Sequence, residues 1–248
     1  MIILSVLFFI TAILYSSVGF GGGSTYLALL LIWDIPYYIF PVIALLCNII
    51  VVTSNSFNYI RAGNHNFKLL MPFLLGSVPL AFIGGTLIVE KKIFEILLFL
   101  VLAISGLLLL KNNESYGEKN IKIKKLSKLI SIFIGSILGL VSGIVGIGGG
   151  IFLSPILFLL KADKPKIIAT TASLFILINS ISGILGQLTK KVILNEIINY
   201  WALFLTVLIG GFIGNYLNLK IFSNRILAII TSLLVVFVAI RMGYRIFI

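Results

Sequence analysis

The stretch "SSVGFGGGS", residues 16–24, decides how the chain is organised, because it places four glycines between two apolar segments. A run of this kind occurs in three unrelated structures: a potassium-selectivity filter, a nucleotide-binding loop and a broken membrane helix. These structures imply different functions. The composition of the chain and the way the run recurs separate them.

The composition is that of a membrane protein. Of 248 residues, 60% are hydrophobic and 10% are charged, and the mean hydropathy is +1.21. Apolar segments long enough to cross about 30 Å of hydrocarbon recur along the whole chain. The sequence therefore predicts an all-α polytopic protein with the lipid bilayer as its surroundings. The net charge of +12 is spread between these segments, which indicates membrane topology signals and argues against a nucleic-acid partner.

Carboxylates and metal-ligating residues are missing where intramembrane chemistry would need them. All seven acidic residues lie at or beyond the ends of apolar segments, so a buried proton relay or sodium site is unsupported. The single cysteine, Cys47, excludes internal disulfides and a cysteine-rich metal site. There is no H-E-x-x-H motif and no serine–histidine arrangement at membrane depth. We therefore expect no cofactor, no metal and no enzymatic activity.

The chain divides into two halves around a polar segment. Residues 111–128 read "KNNESYGEKNIKIKKLSK", with six lysines and two glutamates, which is typical of a cytoplasmic loop near anionic lipid. We predict a first transmembrane repeat over residues 1–110, a cytoplasmic linker over 111–128 and a second transmembrane repeat over 129–248. The expected location is the plasma membrane.

The two predicted repeats resemble each other in sequence. "GFGGGSTYLALLLIWDIP", residues 19–36, matches "GIGGGIFLSPILFLLKADKP", residues 146–165, with the glycines 127 positions apart. A polar stripe follows each glycine run and pairs Asn55 with Asn179. Each half then has about four hydrophobic helical segments. Internal duplication is typical of secondary transporters, whose binding site lies between the repeats.

The repeat also separates the three structures. A potassium filter needs four equivalent loops, and the second copy, residues 143–148, has lost the filter-like pattern. A dinucleotide loop needs a sixth-position glycine after a soluble strand, whereas Ser24 stands there. Residues 25–33 form only about 13 Å of helix, too short to cross the bilayer alone. The run therefore predicts a Gly-rich broken or re-entrant helix.

Glycine turns of this kind expose backbone N–H groups at the start of a short helix. Together with the helix dipole, these groups make an anion site that needs no charged side chain. Ser24, Thr25 and Ser154 add hydroxyl donors. Glycines that only allow close helix packing are the alternative for a single copy. Two matched copies, each followed by a polar stripe, favour binding.

The number of crossings stays open. Broken helices that cross give four crossings per half and parallel repeats, whereas re-entrant ones give three crossings and inverted repeats. Basic residues on the linker side number 12 against 7 in the first case and 13 against 6 in the second. Both counts put the linker in the cytoplasm.

At these motifs the chain resembles the sulfite exporter TauE/SafE family. The close matches are "GIVGIGGGIFLSPILF", residues 143–158, and "ATTASLFILINSISG", residues 169–183. The resemblance implies a permease that moves sulfur oxyanions or organosulfonates. A non-transporting membrane scaffold or assembly protein and a permease for another small ion are the alternatives. A homo-oligomer is compatible with the sequence.

The repeated glycine turns and polar stripes predict one anion bound between the two turns, near the pseudo-symmetry axis. The site is expected to open alternately to the two sides of the membrane. Polar side chains of the two stripes complete the shell around the small anionic substrate. The predicted substrate-binding residues are Gly21, Gly22, Gly23, Ser24, Thr25, Asn55, Gly148, Gly149, Gly150, Ser154, Thr171, Asn179 and Ser180.

Overall fold

The computed structural model describes residues 1–33, 35–111, 123–124, 126–190 and 194–220, with residues 233, 236, 237, 239, 240, 243 and 244 near the C-terminus. This part of the chain is helical and contains no strand. Its α-helices are α1 Ile2–Val18, α2 Gly23–Ile32, α3 Phe40–Arg61, α4 Phe67–Thr86, α5 Lys91–Lys111, α6 Lys128–Val145, α7 Gly150–Leu159, α8 Pro165–Gln187, α9 Leu194–Ile197 and α10 Trp201–Lys220.

Five helical segments in the described part are long and apolar enough to cross a membrane. They are Tyr37–Arg61, Phe67–Thr86, Lys128–Val145, Lys166–Gln187 and Ile198–Leu217. The predicted polytopic helical fold is therefore confirmed. Most of the predicted linker, residues 112–122 and 125, lies outside the described residues.

The same order of elements occurs in both halves. A long helix, α1 or α6, ends at a glycine, and a ten-residue helix, α2 or α7, follows after a short turn. Gly19 and Gly146 end the long helices with φ of 85° and 90°. Gly22 and Gly149 precede the short ones with φ of 85° and 76°. These four positions are in the left-handed region, where glycine is tolerated and a side chain is strained.

Helix α2 turns back along α1. The rings of Phe8 and Tyr26 stack with centroids 4.7 Å apart, although Phe8 lies ten residues, about 15 Å, before the end of α1. A helix continuing in the direction of α1 would carry Tyr26 still farther away. The hydroxyl groups of Tyr15 and Thr25 are also in contact, 2.8 Å apart. The α1–α2 pair is therefore a re-entrant hairpin.

The second half is inverted relative to the first. In the first half α1 runs parallel to α3, since Ser16 contacts Asn55 and Gly19 lies beside Tyr59. Helices α3 and α8 occupy corresponding places in the two halves. They run antiparallel, because Ser56 meets Ser173 while Leu45 meets Gly183. Of the two arrangements open from sequence, the structure thus has inverted repeats.

The long helices that follow α3 and α8, namely α4 and α10, each pack against the other half. On α6, Gly135, Gly139 and Gly143 face Phe73, Ser77 and Ala81 of α4. A methyl group at any of these glycines would collide with a carbonyl oxygen of α4. Such small residues at four-residue spacing let membrane helices approach closely. Helix α4 of the first half is therefore closely packed against α6 of the second half.

Helix α10 of the second half packs in the same way against α1 of the first half. Gly210 and Gly214 lie against the backbone of Phe9 and Ile13 on α1, and Asn215 donates to Ser54 of α3 at 2.6 Å. Helix α4 likewise reaches α8, where Ser182 donates to the carbonyl of Val78 at 2.6 Å. We call these groups the α1/α3/α10 bundle and the α4/α6/α8 bundle. Each combines helices from both sequence halves.

The helix directions predict where the N-terminal residues and the linker lie. Because α1 runs parallel to α3, residue 2 is on the side where α3 begins. In the linker, the backbone N–H of Lys124 donates to the carbonyl oxygen of Lys161, which lies on the opposite side, where α3 ends. In a Cys47→Ala background, a cysteine at Ile2, which is 83% exposed, and one at Ile123, 53% exposed, should react with an impermeant maleimide from opposite sides. Labelling from one side would contradict the inverted arrangement.

Candidate functional site

The two glycine turns meet inside the molecule. A methyl group added at Gly23, the first residue of α2, would lie 3.0 Å from the carbonyl oxygen of Ile147, in the turn before α7. Both turns are buried. The starts of the two short helices therefore adjoin each other at the contact between the two bundles.

Asn48 of α3 joins the two turns. Its side chain is 0% exposed and its Nδ2 donates to the carbonyl oxygen of Ile147 at 3.1 Å. A methyl group at Gly23 or Gly148 would lie 2.7 Å or 3.0 Å from this Nδ2, and one at Gly21 would collide with the Asn48 amide. Within the described chain, the acceptor Oδ1 of Asn48 has no hydrogen-bond partner. The amide is thus the centre of the site.

Ser180 of α8 lies on the other side of the same turn. Its Oγ is 3.0 Å from the position of a methyl group at Gly148. The side chain is 0% exposed, and its hydroxyl has no partner among the described residues. Two buried polar side chains, one from each bundle, therefore flank Gly148, and each has an oxygen without a partner in the described residues.

The starts of α2 and α7 supply hydrogen-bond donors. Neither helix has a side-chain cap at its N-terminus, and the first N–H groups of a helix have no partner within that helix. The helix dipoles place partial positive charge at both starts. Two such ends beside each other favour an anion, as a single helix start does in many phosphate sites.

Several predicted site residues make other contacts. Ser24 and Thr25 point to Tyr15 of α1, whose hydroxyl is 3.3 Å and 2.8 Å from theirs. Asn55 donates to the carbonyl of Ser16 at 3.1 Å and so ties α3 to α1. The Thr171 hydroxyl donates to Ile167 within α8. These side chains support the elements around the turns.

The remaining predicted residues contact their own helix or a neighbouring one. Asn179 donates to the carbonyl of Phe175 in its own helix, and its Oδ1 has no partner in the described residues. Gly22 lies beside the ring of Tyr26. Three more predicted residues are close to α8 or buried in α7: Gly149 faces Phe175, Gly150 faces Ile176, and Ser154 is buried.

Asn48 was not among the site residues predicted from the sequence. It is the only polar residue between residues 40 and 52, and a lone amide in an apolar membrane segment is itself a signal of function, because an unpaired polar group there is costly. Alignment of the two repeats does not point to Asn48. The residue 127 positions later is Phe175, so no polar partner appears in the second copy.

The site has no ionised side chain of its own. Helices α1, α2 and α7 contain no acidic or basic residue, and the charged residues of α3 and α8 are Arg61 and Lys166, near helix ends. In the described part of the chain, no cluster of three potential metal ligands occurs. Neutral amides, hydroxyl groups and helix dipoles therefore determine the electrostatics.

A small cavity of about 70 Å³ lies near the start of α3, lined by residues that include Pro41, Ile144 and Gln187. Gln187 donates to the carbonyl of Gly143 at 2.9 Å. Lys190 also lines the cavity and donates to Leu87 and Gln187 at 2.6 Å and 3.0 Å. Partial burial lowers the pKa of the Lys190 ammonium.

The chain is similar to known membrane transporters. The model of the family described as "Sulfite exporter TauE/SafE" matches residues 4–242. The "probable membrane transporter protein y4hK" of Sinorhizobium fredii is 26% identical over 232 residues, which cover 93% of each chain. The "probable membrane transporter protein MJ0441" of Methanocaldococcus jannaschii is 31% identical over 202 residues, 74% of this chain and 70% of the relative. No solved structure matches. The chain belongs to the sulfite exporter TauE/SafE family and is a membrane transporter, not an enzyme.

Proposed function

We propose that the protein exports small sulfur oxyanions or organosulfonates across the plasma membrane, with the anion bound between the starts of α2 and α7. The observation that carries this proposal is the meeting of two uncapped helix starts around the buried amide of Asn48. The family description adds the chemical class of the substrate.

The site suits an anion that must also be released. Pyramidal and tetrahedral oxyanions accept several hydrogen bonds, and backbone N–H groups can donate to several oxygens at once. No acidic side chain repels the anion. No lysine or arginine holds it with full charge either, so binding is weak enough for turnover.

Access alternates by movement of the two bundles. Helix α4 cannot separate from α6 without breaking close glycine–backbone contacts, so the moving units are the α1/α3/α10 and α4/α6/α8 bundles and not the sequence halves. Helices α3 and α8 meet between them, where the hydroxyl groups of Ser56 and Ser173 are 3.0 Å apart. The glycine turns lie at this same contact, as a site with alternating access requires.

The charge distribution supports the proposed direction of export. Counted along the sequence for an inverted arrangement, 13 of the 19 basic residues fall on the linker side, which supports a cytoplasmic location for that side. A negative interior then favours outward movement of an anion by about 2.3 kcal/mol per charge at about 100 mV. The described helices around the site contain no carboxylate, so they offer no acid that could carry a coupled proton.

Flux of radiolabelled sulfite from proteoliposomes at fixed voltage tests this function. We expect saturable efflux well above that of protein-free vesicles, faster when the membrane potential drives anions outward. Unlabelled sulfite and organosulfonates should compete, and chloride should compete poorly. Flux restricted to another ion would contradict the substrate class. Absence of flux for any ion would favour the scaffold alternative.

A further inference from the structure

The acceptor oxygen of Asn48 would have no hydrogen-bond donor if the site bound an anion that carries no proton. The carbonyl oxygen of Ile147 can only accept a hydrogen bond, so the amide nitrogen of Asn48 must face it, as observed at 3.1 Å. This contact fixes the other end of the amide, Oδ1, beside Gly21. The oxygen is buried and without a donor in the described residues.

An unpaired buried acceptor requires an explanation. Leaving one unsatisfied is destabilising, and this oxygen adjoins the turn that leads into α2. The N–H groups at the helix starts provide donors for the oxygens of a ligand. The oxygen of Asn48 adds the opposite function, an acceptor for a proton that the ligand carries. The Ser180 hydroxyl, also without a described partner, can serve either way.

We propose that the site selects an oxyanion that carries its own O–H group, a monoanion of the hydrogensulfite type. This inference rests on the proposed function and narrows its substrate class. The oxygens of the monoanion accept from the starts of α2 and α7, and its O–H donates to Asn48. The fully deprotonated dianion would place an oxygen against the Asn48 oxygen and be repelled. An alkylsulfonate has no proton to donate and leaves that oxygen unpaired.

Among the described residues of the helices around this site, no side chain ordinarily titrates in the neutral range. Helices α1, α2, α3, α7 and α8 surround it, and their titratable side chains within the apolar parts are tyrosines, such as Tyr15 and Tyr26, and Cys47. Tyrosine and cysteine ordinarily ionise at about pH 10 and about pH 8.5. Arg61 and Lys166 lie near helix ends. A pH effect near neutrality therefore reports the protonation of the ligand.

Sulfite flux in proteoliposomes between about pH 6 and about pH 8 tests the inference on the unmodified protein. At constant total sulfite and fixed voltage, flux should follow the hydrogensulfite fraction. It should fall as the pH rises through the pKa of the anion, and the fall approaches about tenfold per pH unit well above that pKa. Methanesulfonate, which does not titrate in this range, should give lower flux with no such profile. Sulfite flux that rises with the dianion would overturn the inference.

An Asn48→Leu variant tests the residue itself, with Asn64→Leu in the loop between α3 and α4 as the matched control. The ratio of hydrogensulfite to methanesulfonate flux should fall about tenfold or more in Asn48→Leu, since a hydrogen bond to a charged ligand is lost. It should stay unchanged in Asn64→Leu. An equal fall for both anions in Asn48→Leu would mean a structural role and contradict the inference.

The two proposals fail in different ways. Flux of sulfite and methanesulfonate at equal rates and at every pH would leave the proposed function intact and overturn the selection of a protonated anion. Absence of flux for every anion would overturn the proposed function. If Asn48→Leu does not fold, the pH series on the unmodified protein decides.

Discussion

Replacing Gly23 with alanine is expected to reduce sulfite flux about a hundredfold. The added methyl group would lie 2.7 Å from Nδ2 of Asn48 and 3.0 Å from the carbonyl oxygen of Ile147, so it pushes the two turns apart. Two hydrogen bonds to the charged ligand, each worth about 1.5 kcal/mol, are then lost. Gly23 is helical and has no positive φ, so the backbone accepts alanine without strain.

Gly211→Ala is the matched control for this prediction. Gly211 is also a helical glycine, in α10, but a methyl group there would meet its nearest neighbour, Val51, at an ordinary 3.6 Å. We expect flux within about twofold of the unmodified protein, because surface and well-accommodated changes cost little. Normal flux in Gly23→Ala, or an equal loss in both variants at equal amounts of folded protein, would contradict a binding role for the glycine turns.

Linking α3 to α8 by a disulfide is expected to stop transport. The hydroxyl groups of Ser56 and Ser173 are 3.0 Å apart, close enough for cysteines at these positions to be joined by oxidation. The bond would hold the two bundles in one arrangement. In a Cys47→Ala background we expect sulfite flux to fall at least about tenfold on oxidation and to recover on reduction.

A second cysteine pair shows whether the bundles or the sequence halves move. Ser54 of α3 and Asn215 of α10 are also in contact, at 2.6 Å, but both belong to the α1/α3/α10 bundle. A disulfide at positions 54 and 215 should leave flux unchanged, although it joins the first half of the sequence to the second. Loss of flux on oxidation of both pairs would contradict the bundle assignment and indicate that the sequence halves move, because each pair joins one half to the other.

Much of the helical pattern could be predicted from hydropathy. The short segment predicted after the glycines, residues 25–33, overlaps α2, which is Gly23–Ile32. The direction of α2 could not be predicted, because the two arrangements differ by only one basic residue on the linker side. The contact between Phe8 and Tyr26 decides it, and that contact depends on tertiary packing.

Which helices pack against each other could not be predicted from the sequence either. Glycines at four-residue spacing, such as Gly135 and Gly139, indicate a close helix contact. They do not indicate which helix is on the other side. The exchange of α4 and α10 between the halves follows only from the contacts in the folded protein.

The glycine turns of the candidate site could be predicted because they are repeated. Asn48 could not be found in that way, because Phe175 stands at the equivalent place. The sequence also pairs Asn55 with Asn179, yet Asn55 bonds α1 and Asn179 bonds its own helix. Side-chain contacts thus differ between the repeats where the backbone turns are alike.

Equilibrium binding of radiolabelled sulfite to the purified protein is the most direct test of an anion site between the two glycine turns. We expect saturable binding at one site per chain in the unmodified protein and in Gly211→Ala, and its loss in Gly23→Ala at equal amounts of folded protein. Equal binding by Gly23→Ala and the unmodified protein would contradict the account, since the anion would then bind elsewhere.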